Sequence, residues 1–157
     1  MVGDHSCREQ SPAGIPHRLV CQDGEMASLG ELLATLHPEL VDGRFVFTSV
    51  ASLAEVLAAG VEPVVTVREL EGLTAIMRVE EAARLGLDSS FEAAMISLDV
   101  SSELDAVGLT AAVSTALAEI GIAANVVAGL HHDHLFVPAD RSAAALAALR
   151  SLSTDAG

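Results

Sequence analysis

Gly121-Ile122-Ala123-Ala124-Asn125-Val126-Val127 is followed almost at once by Gly129-Leu130-His131-His132-Asp133-His134-Leu135-Phe136-Val137. Ile122 to Val127 and Asp133 to Val137 are rich in branched and aromatic side chains and are separated by a glycine-bearing turn, which predicts two strands of a hairpin. Working back, Val107-Gly108-Leu109-Thr110 opens a stretch in which Leu109, Val113, Ala116, Leu117 and Ile120 recur at helical spacing until Gly121. That is an amphipathic helix with a glycine stop. Further back, Ile96, Leu98 and Val100 alternate with Met95, Ser97 and Asp99, the period of a strand with one more polar face. Working forward, Asp140 is placed to cap a last helix whose Leu146, Leu149 and Leu152 face inward. The order is strand, helix, strand, strand, helix.

The same order is legible once before, from about Arg44 to Gly86. Arg44 to Val50 places Phe45 and Phe47 on one side and Val46, Thr48 and Val50 on the other, a strand covered on both faces. Ser52-x-x-Glu55 has capping-box spacing and opens a helix through Leu53, Val56 and Leu57 that Gly60 ends. Pro63 to Arg68 and Leu73 to Val79 read as a hairpin across Glu69-Leu70-Glu71-Gly72, and Glu80 to Leu85 as a closing helix. Ahead of this copy, Ser28-Leu29-Gly30-Glu31 is another capping box. It starts a short helix through Leu32, Leu33 and Leu36 that His37-Pro38 stops.

Two such units predict an α+β protein of ferredoxin-like βαββα repeats, antiparallel sheets with helices on one face. An ideal unit ends in a fourth strand, and neither copy shows one. The run from Phe91 to Val100 fits best as the first strand of the second unit. The missing strands are then shared between the halves or drawn from the segment before Leu29. The expected division is a flexible tail over 1–25, a first unit with its lead-in helix over 26–88 and a second over 89–157.

Composition removes several functions. The chain carries 22 acidic residues against 8 basic ones, a net charge of −14, and every basic residue is arginine. Without lysine there is no Schiff-base nucleophile and no P-loop lysine. With no Trp or Tyr, and an acidic surface, nucleic acid is not an expected partner. No apolar run approaches the roughly 18 residues of a membrane span. Cys7 and Cys21 lack metal-site spacing, and residues 1–25 lack a signal peptide's apolar core, so a cytoplasmic protein with free thiols is expected. Ser114 and Thr115 fall inside a helix and no nucleophile elbow is present, so the expectation is no enzyme and no cofactor.

The loop Val107-Gly108-Leu109-Thr110, the Asn125-bearing strand and the His132-to-Val137 strand, in that order and spacing, resemble the ACT domain, a small-ligand regulatory module of amino-acid metabolism. The resemblance covers about Ala93 to Arg150. From Glu31 onward the chain is similar to bacterial tandem ACT-like proteins related to aspartate kinase regulatory domains and CASTOR-type arginine sensors. The first copy carries it more faintly, through Val65-Thr66-Val67-Arg68-Glu69 and Glu71-Gly72-Leu73-Thr74. The resemblance implies an amino-acid ligand held where units meet, transmission across a homodimer, and a site drawn from Asp105, Val107, Gly108, Leu109, Asn125, Val126, His132 and His134, with Thr66, Glu69 and Gly72 in the first copy. The residues suit this chemistry. Gly108 lets a ligand approach the backbone, the following helix start suits a carboxylate, Asp105 suits an ammonium group, and the Asn125 amide both donates and accepts. Two other readings stay open: an interaction module without ligand, and a small metal-dependent enzyme. For the latter, His132 and His134, two apart on one strand, share a face, while Asp133 points away.

Overall fold

A computed structural model describes residues 28–89, 91–99 and 107–155; the expected 1–25 tail lies outside them. In chain order the elements are α1 (Leu29–Ala34), β1 (His37–Leu40), β2 (Phe45–Val50), α2 (Leu53–Ala58), β3 (Val65–Arg68), β4 (Leu73–Arg78), α3 (Val79–Arg84), β5 (Glu92–Asp99), α4 (Leu109–Glu119), β6 (Asn125–Ala128), β7 (Asp133–Pro138) and α5 (Ser142–Asp155), the last entered through a 3-10 turn over Ala139–Arg141. All seven strands join one antiparallel sheet in the order β3-β4-β2-β5-β7-β6, with β1 also on β5.

β5 resolves the missing strands. One edge pairs with β7 from Ala93 opposite Pro138 to Leu98 opposite Asp133. The other edge is divided: Glu92 and Ala93 pair with Val46 and Phe45 of β2, while Ile96 to Asp99 pair with Leu40 to His37 of β1. The first residues of β5 are therefore the fourth strand of the first unit, and the whole of β5 is the first strand of the second. The second unit's fourth strand is β1. It comes from just after α1, not from before Leu29, and uses the residues that read as a helix stop. Pro38 is tolerated because, among the described residues, β1 pairs only with β5, as an edge strand does. Between Leu40 opposite Ile96 and Phe45 opposite Ala93, five steps on one strand answer three on the other, so two residues are extra. The bulge falls at Asp42-Gly43, where Gly43 has φ 97°, and the Arg78 guanidinium donates to the Asp42 carbonyl over it at 3.2 Å.

Three apolar clusters follow from strand alternation. Leu32 and Leu36 join Ala94, Ile96, Leu98, Leu135 and Val137 under α4 and α5, so the lead-in helix packs into the second unit's core. Val46, Val50, Ala75 and Met77 pack under Val56 and Ala82 of α2 and α3. The alternate side chains Phe45, Ile76, Ala93, Met95 and Phe136 form a third cluster on the face away from the helices. Phe47 of β2 and Phe136 of β7 meet edge-on at 5.5 Å although β5 lies between their strands, a lateral separation of roughly 10 Å in a flat sheet. The sheet is thus curled, turning its two helix-free half-faces toward each other, and this is why Met95 is buried rather than on a polar face.

Several local expectations meet competition. The Ser28–Glu31 capping box forms, with the Ser28 N–H donating to Glu31 at 2.8 Å, and both Ser28 bonds hold the Glu31 carboxyl below its ordinary range. Ser52 is an N-cap by position but makes no side-chain capping bond. Asp140 sits in the 3-10 turn, and α5 begins two residues later. Ile122 is buried but precedes its strand, which starts at Asn125. Ile120 is 43% exposed, because Leu109, Val113 and Leu117 alone carry the buried stripe of α4.

Candidate functional site

A cleft lies in the first unit, where β2 runs out into the turn that starts α2. Ser49 and Val50 end the strand, Ala51 and Ser52 make the turn, and Leu53 and Ala54 open the helix; the opposite wall is Arg68 to Leu73, the tip of the β3–β4 hairpin. The space between is about 920 Å³, within the ordinary range of small-molecule pockets. Two pairings hold the walls together. Ser49 and Val50 face Thr74 and Leu73 across β2 and β4, and the Glu69 N–H closes the hairpin on the Gly72 carbonyl at 2.8 Å. The Thr74 hydroxyl donates to the Glu69 carboxylate, fixing that side chain. One guanidinium, two carboxylates and two hydroxyls thus line one cleft: Arg68, Glu69, Glu71, Ser49 and Ser52.

Of the expected first-copy residues, Glu69 and Gly72 line this cleft, while Thr66 is exposed on β3 opposite Ala75 and does not. Sequence reading missed Arg68, Ser49, Ser52 and Glu71 as site residues. The signal was available: the first copy's own strand-to-helix turn is the counterpart of the loop weighed in the second copy.

The second-unit candidates are dispersed. Asp105 lies outside the described residues. Val107 is 77% exposed, whereas Leu109 is buried in the second unit's core and Val126 packs against it. Gly108, at φ 102°, caps α4 backbone-first, and a Cβ there would stand 3.3 Å from the Leu29 side chain, so this glycine also lets α1 approach. Asn125 is exposed at the start of edge strand β6, opposite Phe136. His132 lies in the β6–β7 hairpin with Nδ1 3.7 Å from an Asp99 carboxylate oxygen. His134, opposite Ser97, has a buried Nδ1 without a hydrogen-bond partner among the described residues; burial pushes its pKa down, His132 adds to this, and Asp133 opposes it. Among the described residues no three His, Cys, Asp or Glu side chains are arranged to hold a metal ion, and no helix is long and apolar enough to cross a membrane.

Two sequence models, each of an ACT domain, match residues 24–94 and 90–151, overlapping on the start of β5 that the fold shares between its units. The chain is also 47% identical to a Vibrio cholerae protein of unknown function, VC0802, described as a possible transport protein, over 80% of this chain and 95% of that one, with a TM-score of 0.73. The chain belongs to the ACT domain family. ACT domains are regulatory rather than catalytic modules that generally bind small ligands such as amino acids. The tandem ACT fold is shared with the regulatory subunit of aspartate kinase from Thermus thermophilus, at 14% identity over 74% of this chain and 95% of that one, TM-score 0.54. It is shared too with aspartate kinase from Clostridium acetobutylicum, at 11% identity over 76% of this chain and 34% of that one, TM-score 0.56. At these identities the likeness is one of fold. No curated protein matches the sequence.

Proposed function

We propose that this tandem ACT protein is a cytoplasmic, non-catalytic sensor that binds an amino acid in the cleft of its first ACT unit and passes occupancy on across a homodimer. The observation that supports this is the charge arrangement of that cleft. Arg68 offers a planar guanidinium to a carboxylate, Glu69 and Glu71 offer acceptors to an ammonium group, and the Ser49 and Ser52 hydroxyls can serve either. An α-amino acid carries both charges, and the hairpin wall carries a complement to each, with the two hydroxyls facing it from the strand-to-helix turn. The hairpin and the strand-to-helix turn are separate segments held by β2–β4 pairing, so a ligand bridging them favours their closed arrangement. Population shift is the mechanism.

A melting screen of the full chain against the twenty amino acids tests this. A ligand at a hundred times its dissociation constant should stabilise the protein by about 2.7 kcal/mol. Arg68→Ala should abolish the shift while leaving the unliganded melting temperature nearly unchanged, because Arg68 is exposed. No shift with any amino acid would favour an interaction module without ligand. A shift that survives Arg68→Ala but not Asn125→Ala would move the site to the second unit.

A further inference from the structure

Glu69 is an exposed carboxylate beside the turn that its own N–H closes on Gly72, a place where a long side chain ordinarily samples many rotamers in water. Here it is tied. The Thr74 hydroxyl donates to it, and Thr74 is not itself a lining residue of the cleft. Backbone pairing sets both ends of this bond. Thr74 stands opposite Val67 on β3 and Ser49 on β2, which makes Glu69, two residues beyond Val67, its diagonal neighbour on the same face of the sheet. That face is the helix-free one, since Ile76, two residues along β4, belongs to the cluster away from the helices. Arg68 is on the other face: it stands opposite Leu73, which belongs to the cluster under α2 and α3. The cleft therefore wraps the end of the sheet, with Glu69 and Ser49 on one side and Arg68 on the other.

We propose that Thr74 is a positioning residue of this cleft: it holds Glu69 as the acceptor for an ammonium group on the helix-free side while Arg68 takes the carboxylate on the helix side. The cleft then reads an α-amino acid in one direction and discriminates against the 2-hydroxy acid of the same skeleton. This rests on the amino-acid reading of the cleft and adds to it an orientation and a selectivity. An exposed bond between a hydroxyl and a carboxylate adds little to stability, because water competes for both partners. Its consequence is preorganisation, since a carboxylate already confined loses less freedom when the ammonium group arrives. Acceptor capacity remains, because a carboxylate has about four lone-pair positions and one hydroxyl fills one of them. A 2-hydroxy acid presents only a neutral donor to the same carboxylate, the weaker kind of bond. Threonine suits the role, its branched side chain being stiff at χ1.

The test is a melting screen of the full chain against the twenty L-amino acids. The one that shifts it most, and the 2-hydroxy acid of the same skeleton, are then titrated into the wild type, Thr74→Val, Thr74→Ser, Glu69→Gln and the double variant of Thr74→Val with Glu69→Gln. Thr74→Val keeps the branched shape that a strand prefers, so its unliganded melting temperature should stay near that of the wild type. The wild type should bind the amino acid about tenfold tighter than the hydroxy acid, or more. Thr74→Val should lose most of that preference by weakening the amino acid and not the hydroxy acid, and Thr74→Ser should keep it. The double variant should bind the amino acid no worse than Glu69→Gln alone, as two residues acting through one group do. The proposal is overturned if the wild type binds both acids alike, if Thr74→Val keeps the preference, if Thr74→Ser loses it as Thr74→Val does, or if the two substitutions weaken binding independently. Amino-acid binding that persists in any of those cases leaves the sensor standing and removes Thr74 from it, whereas no shift with any of the twenty overturns both.

Discussion

His134 holds a buried Nδ1 that has no hydrogen-bond partner among the described residues, in surroundings that disfavour a charged ring. Its pKa is below the ordinary histidine value in the folded protein, mainly through burial, so below about pH 6.5 the unfolded chain binds a proton that the folded chain resists. Stability from this residue is therefore present above the unfolded pKa and lost as pH falls through that value toward the folded one. Melting temperature measured from pH 7.5 down to 5 should fall less steeply in His134→Phe than in the wild type; identical slopes would mean the burial is relieved in solution. The same scale shows what a single position can carry unaided. Gly43 and Gly108 both take positive φ, a local property, but that Arg78 lies over the first and Leu29 against the second depends on residues more than thirty positions away in the chain.

At the scale of elements, hydrophobic period was a sound guide where one face alone is buried. In α4, Leu109, Val113 and Leu117 repeat at four residues and all are buried, whereas Ile120 at the helix end turns outward. Leu117→Ala should cost roughly 2–5 kcal/mol in denaturant unfolding, and Ile120→Ala less than about 0.5 kcal/mol; comparable costs would show the register of α4 to be misassigned. β1 escaped the same reasoning. Four residues containing a proline carry no period, and His37-Pro38 is a good local helix terminator that is also a workable edge strand. The capping boxes make the point from the other side. Two identical spacings, Ser28–Glu31 and Ser52–Glu55, gave one formed box and one unformed: the Ser28 side chain accepts from the Glu31 N–H, whereas the Ser52 side chain makes no capping bond.

Across the whole molecule, the units are interlocked rather than strung together. The second unit borrows β1 along Ile96 to Asp99 and fills its core with Leu32 and Leu36, both supplied ahead of the first unit. The first borrows the opening residues of β5. Residues 89–157 expressed alone should therefore lack a cooperative melting transition, with the β5 edge and the undersides of α4 and α5 exposed, while the full chain melts cooperatively. A folded 89–157 fragment would show that β1 and α1 are accessory. The helix-free cluster of Phe45, Phe47, Met95 and Phe136 has the same character, joining strands from both units into one curled sheet.

What the sequence by itself determined is the repeated strand-helix-strand-strand-helix order, the α+β class and the exclusion of lysine chemistry, because alternation, helical spacing and residue type act over a few neighbours. Only the tertiary structure decided which strands complete each unit and where the cleft lies. Edge pairing between β1 and β5 is made by backbone groups that every residue possesses, and the cleft joins Ser49 to Arg68 and Glu71 through β2–β4 register. That edge pairing and that register leave no mark in the spacing of side chains along the chain.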